Sequence, residues 1–239
     1  VRRIAIDSCY FDQQVDSQFV KNYAYFQPPK NRRRPPPKEI IIEELIATRF
    51  RLRDRFELRA RDYQLRFDTA KLGLAIYPDR IETKGFFKGK SEKLRIGKMT
   101  FMEDAPLASQ FHLRINKADK WIYLNQTTLT LAGTDMHLSG DLRGGISSVY
   151  NLKIDAPRGN IHTLLSLFPM KAGSMLNRFN ISGTMELNGS IVGADNDEEN
   201  PHVELNFACN DGQIDNKRNG SRLQNLAIKG SYNNGDSNS

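Results

Sequence analysis

Apolar and polar residues alternate with a period of two along most of this chain. In Arg49-Phe50-Arg51-Leu52-Arg53 an extended backbone sends two apolar side chains to one side and three arginines to the other. The pattern recurs at Phe56, Leu58 and Ala60 against Glu57, Arg59 and Arg61, and at Tyr63, Leu65 and Phe67 against Gln64, Arg66 and Asp68. It continues at Leu72/Leu74/Ile76, Leu94/Ile96, Phe111/Leu113/Ile115, Leu129/Leu131, Met136/Leu138 and Tyr150/Leu152/Ile154. Met185/Leu187, Val203/Leu205/Phe207 and Leu226/Ile228 complete the series. Turn residues divide these runs at 77–79, 132–135, 144–145, Asn188-Gly189, 210–212 and Asn234-Gly235. The spacing predicts roughly thirteen to fifteen short strands in antiparallel meanders.

One segment breaks the alternation in favour of a helix. Residues 160–169 offer Asn160 as a cap, an apolar run at Leu164, Leu165, Leu167 and Phe168, and Pro169 as a stop. Residues 8–26 carry aromatics without a clean period. Residues 27–38 combine five prolines with five cations and predict a solvated, extended loop, and residues 193–201 form its acidic counterpart. Strand patterning resumes after each, so both read as insertions between strands. The expected organisation is an N-terminal strand with a Pro/Arg-rich loop over residues 1–39 and a repetitive antiparallel region over 40–239. The fold class is all-β with one short helix. One apolar face per strand predicts an elongated, curved open sheet with a groove, the alternative being a β-sandwich whose core hides that face.

Composition refines this in three places. The 38% hydrophobic content and mean hydropathy of -0.57 suit strands that bury one face. The net charge of +7 is uneven: Lys and Arg outnumber Asp and Glu 26 to 16 in residues 1–120 but trail them 9 to 12 in residues 121–239. The chain opens at Val1-Arg2-Arg3-Ile4, already in a strand pattern, which reads as a segment of a longer protein with targeting signals outside it. Cys9 and Cys209 lie in no CxxC motif, and the sequence leaves their pairing open.

Catalytic and metal motifs are absent from the sequence. His112, His137, His162 and His202 are dispersed, and Asp135 with His137 makes a two-residue pair that a turn followed by a strand already explains. There is no GxSxG, P-loop or HExxH, so the chain is expected to be no enzyme, with no catalytic residues, metal or cofactor. The arginines of residues 32–66 raise nucleic acid as a partner. A base-stacking platform needs aromatics and cations on one face, however, and here they alternate to opposite faces. Arginines rimming an apolar surface also suit anionic lipid headgroups.

Residues 181–193 (ISGTMELNGSIVG), followed by a polar loop, residues 201–207 (PHVELNF), residues 210–214 (NDGQI) and residues 223–235 (LQNLAIKGSYNNG), resemble the recurring strand and turn segment of the AsmA-like family. Ile40-Ile41-Ile42-Glu43-Glu44-Leu45 leading into residues 49–54 is similar to an upstream unit of the same family, in its Bacteroidetes-type form. The resemblance spans roughly residues 40–235. It implies a Gram-negative envelope protein whose periplasmic part is a curved sheet, apolar on its concave side. An N-terminal helix outside this sequence would anchor it in the inner membrane, and its role would be phospholipid transport and outer-membrane homeostasis. The partners implied are phospholipid or other acyl-chain lipid, the inner membrane through that anchor, and other envelope proteins.

On this reading the groove is lined by Phe50, Leu52, Phe56, Leu58, Leu65, Phe67, Leu129, Leu131, Met136, Leu138, Leu152, Ile154, Met185, Leu187, Leu205 and Phe207. Arg49, Arg51 and Arg53 are the candidate headgroup contacts. The physics is simple: each CH₂ kept from water is worth about 0.8 kcal/mol, so a greasy track needs no special residue. The competing readings are a structural or adhesive β-repeat protein that binds through sheet edges, and a basic β domain that binds nucleic acid.

Overall fold

A computed structural model describes residues 1–18, 20, 22, 39–57, 60–96, 99–144, 148–165, 178–196 and 199–235, with the backbone alone at 96, 99–102 and 165. Among the described residues the chain is all-β with one short helix, and it forms two compact units, Val1–His112 and Leu113–Ser239. Among the described residues no helix is long and apolar enough to cross a membrane.

In the first unit, β3 (Ile40–Phe56), β4 (Arg61–Ile76) and β5 (Arg80–Ile96) form an antiparallel meander, continued by β6 (Met99–Asn116) as far as the unit extends. Along the free side of β3 lie β1 (Arg3–Asp7) and β2 (Tyr10–Val15), end to end and both parallel to it. Parallel neighbours cannot be joined by a tight turn, and residues 16–39 supply the long connection. Residues 3–15 therefore belong to the same sheet as β3.

These strands are not short. β3 to β6 run for 17, 16, 17 and 18 residues, because the parity breaks in the sequence are irregularities within strands rather than strand ends. β3 carries an extra residue between Ile42 and Leu45, and β4 another between Phe67 and Thr69. Arg49 stands where the latter is matched across the pair, at φ +52°. Each bulge absorbs one residue, so Leu72 and Phe67, of opposite parity, still share a face.

In the second unit, β7 (Trp121–Leu131), β8 (Thr134–Arg143), β9 (Ser148–Asn160), β11 (Thr184–Asp195) and β12 (His202–Asn216) are successive antiparallel neighbours. β10 (Phe179–Ser182) pairs with the far end of β12 on the β11 side, and β13 (Arg222–Asn233) takes the other side. Ala132 at φ +45° and Gly133 at φ +82° make the two-residue turn that joins β7 to β8 as predicted. Within each unit the described strands form one open sheet that does not close on itself, rather than two facing sheets.

The predicted helix is α1 (Ile161–Leu165), and Asn160 caps it, its Oδ1 accepting from the backbone N–H of His162 (2.9 Å) and Thr163 (3.3 Å). Residues 166–169 of the prediction lie outside the described residues, as does the Pro/Arg-rich loop 27–38. Two predicted turns are corrected. Asn188-Gly189 lies inside β11, where Gly189 faces Leu205, and a Cβ would come within 2.3 Å of the Glu204 carbonyl oxygen. Asn210-Asp211-Gly212 is a bulge within β12. Turn-forming residues serve bulges and close strand contacts as readily as hairpins.

Candidate binding face

Register gathers the apolar residues of each unit on one face. In the first unit Phe50 stands opposite Phe67 and Leu52 opposite Leu65, with Phe56 at the end of the same row. Phe67 in turn faces Gly89, and Ala70 faces Phe87. The rings of Phe50, Phe67, Phe87 and Phe111 follow one another across β3, β4, β5 and β6, at centroid separations of 5.7, 5.1 and 6.2 Å. The Phe67–Phe87 contact is edge-to-face, a favourable arrangement of two ring quadrupoles. All four phenylalanines are only half-buried, as are Leu52 and Leu65, while Phe56 is buried. The face is apolar and incompletely covered.

Phe87 was not among the residues picked out by alternation. It stands between Gly85 and Gly89 on its own face, and glycine carries no apolar signal. A Cβ at Gly89 would lie 1.9 Å from the Arg66 carbonyl oxygen, so the smallness of that position is a packing requirement.

Arg61 is a correction of a different kind. The alternation set it on the polar side, against Phe56. It pairs directly with Phe56 and shares the apolar face, because the connection between the two strands resets their parity. Leu58 lies outside the described residues.

In the second unit Leu129 pairs with Met136, Leu138 with Ile154, and Leu187 with both Ala156 and Phe207. Leu152, Ile154 and Leu205 fall in line with them beside Gly140 and Gly189. This face is covered unevenly. Leu131, Met136, Met185 and Leu187 are at most 3% exposed, and Leu205 is also buried. They cluster with Ala156, Cys209 and the helix residues Ile161 and Leu164 in the buried core. Leu164 sits so close to Gly159 that a Cβ there would meet its Cδ1 at 2.4 Å. Leu129, Leu138, Leu152, Ile154 and Phe207 are half-buried. One part of the face is thus an ordinary core, and another stays partly open.

The opposite face of the first unit is an ion-pair lattice. Arg53 donates to the buried Asp62 through Nε (3.1 Å) and Nη2 (3.3 Å), Gln64 donates to both carboxylate oxygens, and Lys93 Nζ lies 3.6 Å away. Burial pushes the Asp62 carboxyl up, but the bonds from Arg53 and Gln64 outweigh it and hold it below the ordinary range. Arg49 is bonded to Asp7, which also accepts from Thr48, and the two donors hold the Asp7 carboxyl at about 2. Arg51 lies 3.9 Å from Glu92. The three candidate headgroup contacts therefore each have a carboxylate partner already.

Asp135 and His137 are exposed and bonded to threonines across the hairpin, Asp135 to Thr130 and His137 to Thr128. Among the described residues no three His, Cys, Asp or Glu side chains converge as metal ligands. Both cysteines are free thiols, Cys9 half-buried and Cys209 buried. Comparison of the chain with models of known families, with curated proteins and with solved structures finds no match.

Proposed function

We propose that this chain is a non-catalytic binder of acyl-chain lipids, working through the apolar face of its sheets. The observation that carries the reading is the half-buried phenylalanine ladder Phe50–Phe67–Phe87–Phe111 on four adjacent strands. Isolated apolar side chains at a surface are ordinary, whereas contiguous ones mark a binding surface. A row of rings without a convergent polar group favours a ligand that is itself long, apolar and repetitive. The resemblance to the AsmA-like family points the same way. It extends the proposal to a periplasmic segment of an inner-membrane-anchored envelope protein that moves phospholipid toward the outer membrane. Arg49, Arg51 and Arg53 alternate with the apolar residues of β3 rather than standing beside them, which weighs against a nucleic-acid platform that needs several cations and aromatics on one face.

The test is direct. The purified chain is extracted and its lipids are identified by mass spectrometry, and binding of a fluorescent fatty-acyl probe is titrated for wild type and Phe67→Asp. Bound lipid and saturable uptake that Phe67→Asp abolishes are expected. An empty protein with no saturable uptake overturns the proposal. A second reading, a β-repeat protein that recruits partners along a sheet edge, is favoured by one feature. β13 has a single described strand neighbour, and it exposes Leu223 (59%) and Ile228 (40%). Loss of a protein partner on substituting Lys at both positions, with lipid uptake absent, would select it.

A further inference from the structure

We infer that Arg61, held beside Asp54 on the apolar face of the first unit, receives the anionic phosphate of a two-chain phospholipid whose acyl chains lie along the phenylalanine ladder; this rests on the lipid reading above. Charge is out of place on that face. Arg51, Arg53, Arg55 and Arg66 all lie on the opposite side, where carboxylates and water are available. Arg61 and Asp54 instead share a face with Leu52, Phe56, Tyr63 and Leu65.

The guanidinium is fixed there by its surroundings. Its carbon lies 5.4 Å from the centroid of the Phe56 ring and 5.2 Å from that of Tyr63, while Nη2 is 2.8 Å from Asp54 Oδ2. Rings on which a cation rests keep it charged and oriented without consuming its hydrogen-bond donors. Arg61 Nε and Asp54 Oδ1 are covered by protein, yet neither has a hydrogen-bond partner. Those two atoms are closed to a ligand as well as to water, so a phosphate would meet Arg61 through the exposed part of its side chain, beside the Asp54 contact. The Arg61 side chain is 31% exposed, which leaves the guanidinium reachable. Planar donors in a fork suit phosphate oxygens better than any other anion of comparable size apart from carboxylate.

Position adds the second half of the argument. Arg61 begins β4 and pairs with the last residue of β3, so it stands at the hairpin end of the face. From Arg61 to Phe67 the strand advances on the order of 20 Å, comparable to an extended long acyl chain. A phospholipid laid along β4 with its phosphate at Arg61 would place its chains over Leu65, Phe67 and the neighbouring rings. Headgroup and chains would then be read by different residues of one face.

The experiment uses the full chain with three soluble probes: a short-chain phosphatidylglycerol below its micelle concentration, the neutral diacylglycerol of the same chain length, and glycerol phosphate without chains. Wild type is expected to bind the phospholipid more tightly than the diacylglycerol. Arg61→Leu should weaken phospholipid binding about tenfold, the scale of one charge-assisted hydrogen bond, while diacylglycerol binding stays unchanged. Arg61→Lys, which keeps the charge, should recover part of the loss, and circular dichroism with urea unfolding identifies any variant that fails to fold. Equal phospholipid affinity in wild type, Arg61→Leu and Arg61→Lys overturns the headgroup site and leaves the lipid reading standing. Binding of neither lipid by wild type removes the lipid reading and this inference with it. Full competition by glycerol phosphate alone shows a site for free phosphate and also overturns it.

Discussion

Arg53 and Asp62 meet across the β3–β4 hairpin through two hydrogen bonds, from Nε at 3.1 Å and Nη2 at 3.3 Å, on a carboxylate that is almost wholly buried. Asp62→Asn would leave Arg53 and Lys93 without their counter-ion in a half-buried setting. A loss of about 2 kcal/mol is expected, read by urea unfolding followed by circular dichroism. The Asp62 carboxyl is depressed in the folded chain, so its contribution is fully present above the unfolded value of about 3.9 and disappears as pH falls through the lower folded value. Stability of wild type and Asp62→Asn should converge in that acid range. A constant gap down to the lowest pH measured would contradict the assignment.

Burial differs along the second unit's apolar face, and truncation should report it. Leu187, 2% exposed between Ala156 and Phe207, should cost about 3 kcal/mol on replacement by Ala. Half-buried Leu152→Ala should cost about 1 kcal/mol, because less surface leaves water in the first place. Trp121 is the sole tryptophan and lies in this unit, so its fluorescence follows both unfolding curves. Equal losses at the two sites would mean that the face is covered uniformly.

Asn160→Ala removes the acceptor for two N–H groups at the start of α1. A destabilisation of about 1 kcal/mol is expected in the same assay, whereas Asn160→Ser should retain most of the stability. Similar losses for both replacements would argue that Asn160 matters for something other than capping.

Gly140 sits in β8 at φ +113°, and a Cβ there would lie 2.0 Å from the Asn151 carbonyl oxygen of β9. Gly140→Ala therefore combines a strained backbone with a collision against the neighbouring strand. About 3 kcal/mol should be lost, again by Trp121 fluorescence. Gly133→Ala, also at positive φ but with nothing within 4 Å, should lose only about 1 kcal/mol.

Alternation made the all-β class, the capped helix at Asn160 and the face carrying Phe50, Leu52, Leu65 and Phe67 legible in the sequence, because period two is a local property of an extended backbone. Strand lengths were less legible. A parity break at Asp68 looks the same whether the strand ends or bulges, and only the partner strand decides. Cross-strand chemistry was hidden for a related reason. Arg49 finds Asp7 through a parallel pairing that joins residues 42 positions apart, which no short-range pattern announces. The placement of Arg61 failed at a hairpin, where the count of residues in the turn sets which way the next strand faces. Whether an apolar face is covered is a matter of what packs on it, and composition carries no record of that.

The bulges of β3 and β4 give the first unit something like a reading frame. Between bulges, a change of two residues in strand length preserves every side chain's orientation, while a change of one inverts everything beyond it. Deleting Lys71 would leave Phe67 in place and turn Leu72, Leu74 and Ile76 to the ion-pair side, whereas deleting Asp68 removes the extra residue itself and keeps them on the face of Phe67. Sequences that build this sheet can therefore drift freely in which apolar residue fills a position, yet they are confined in where they gain or lose one. Single-residue insertions are tolerated only where a compensating bulge, or a hairpin loop, restores the phase.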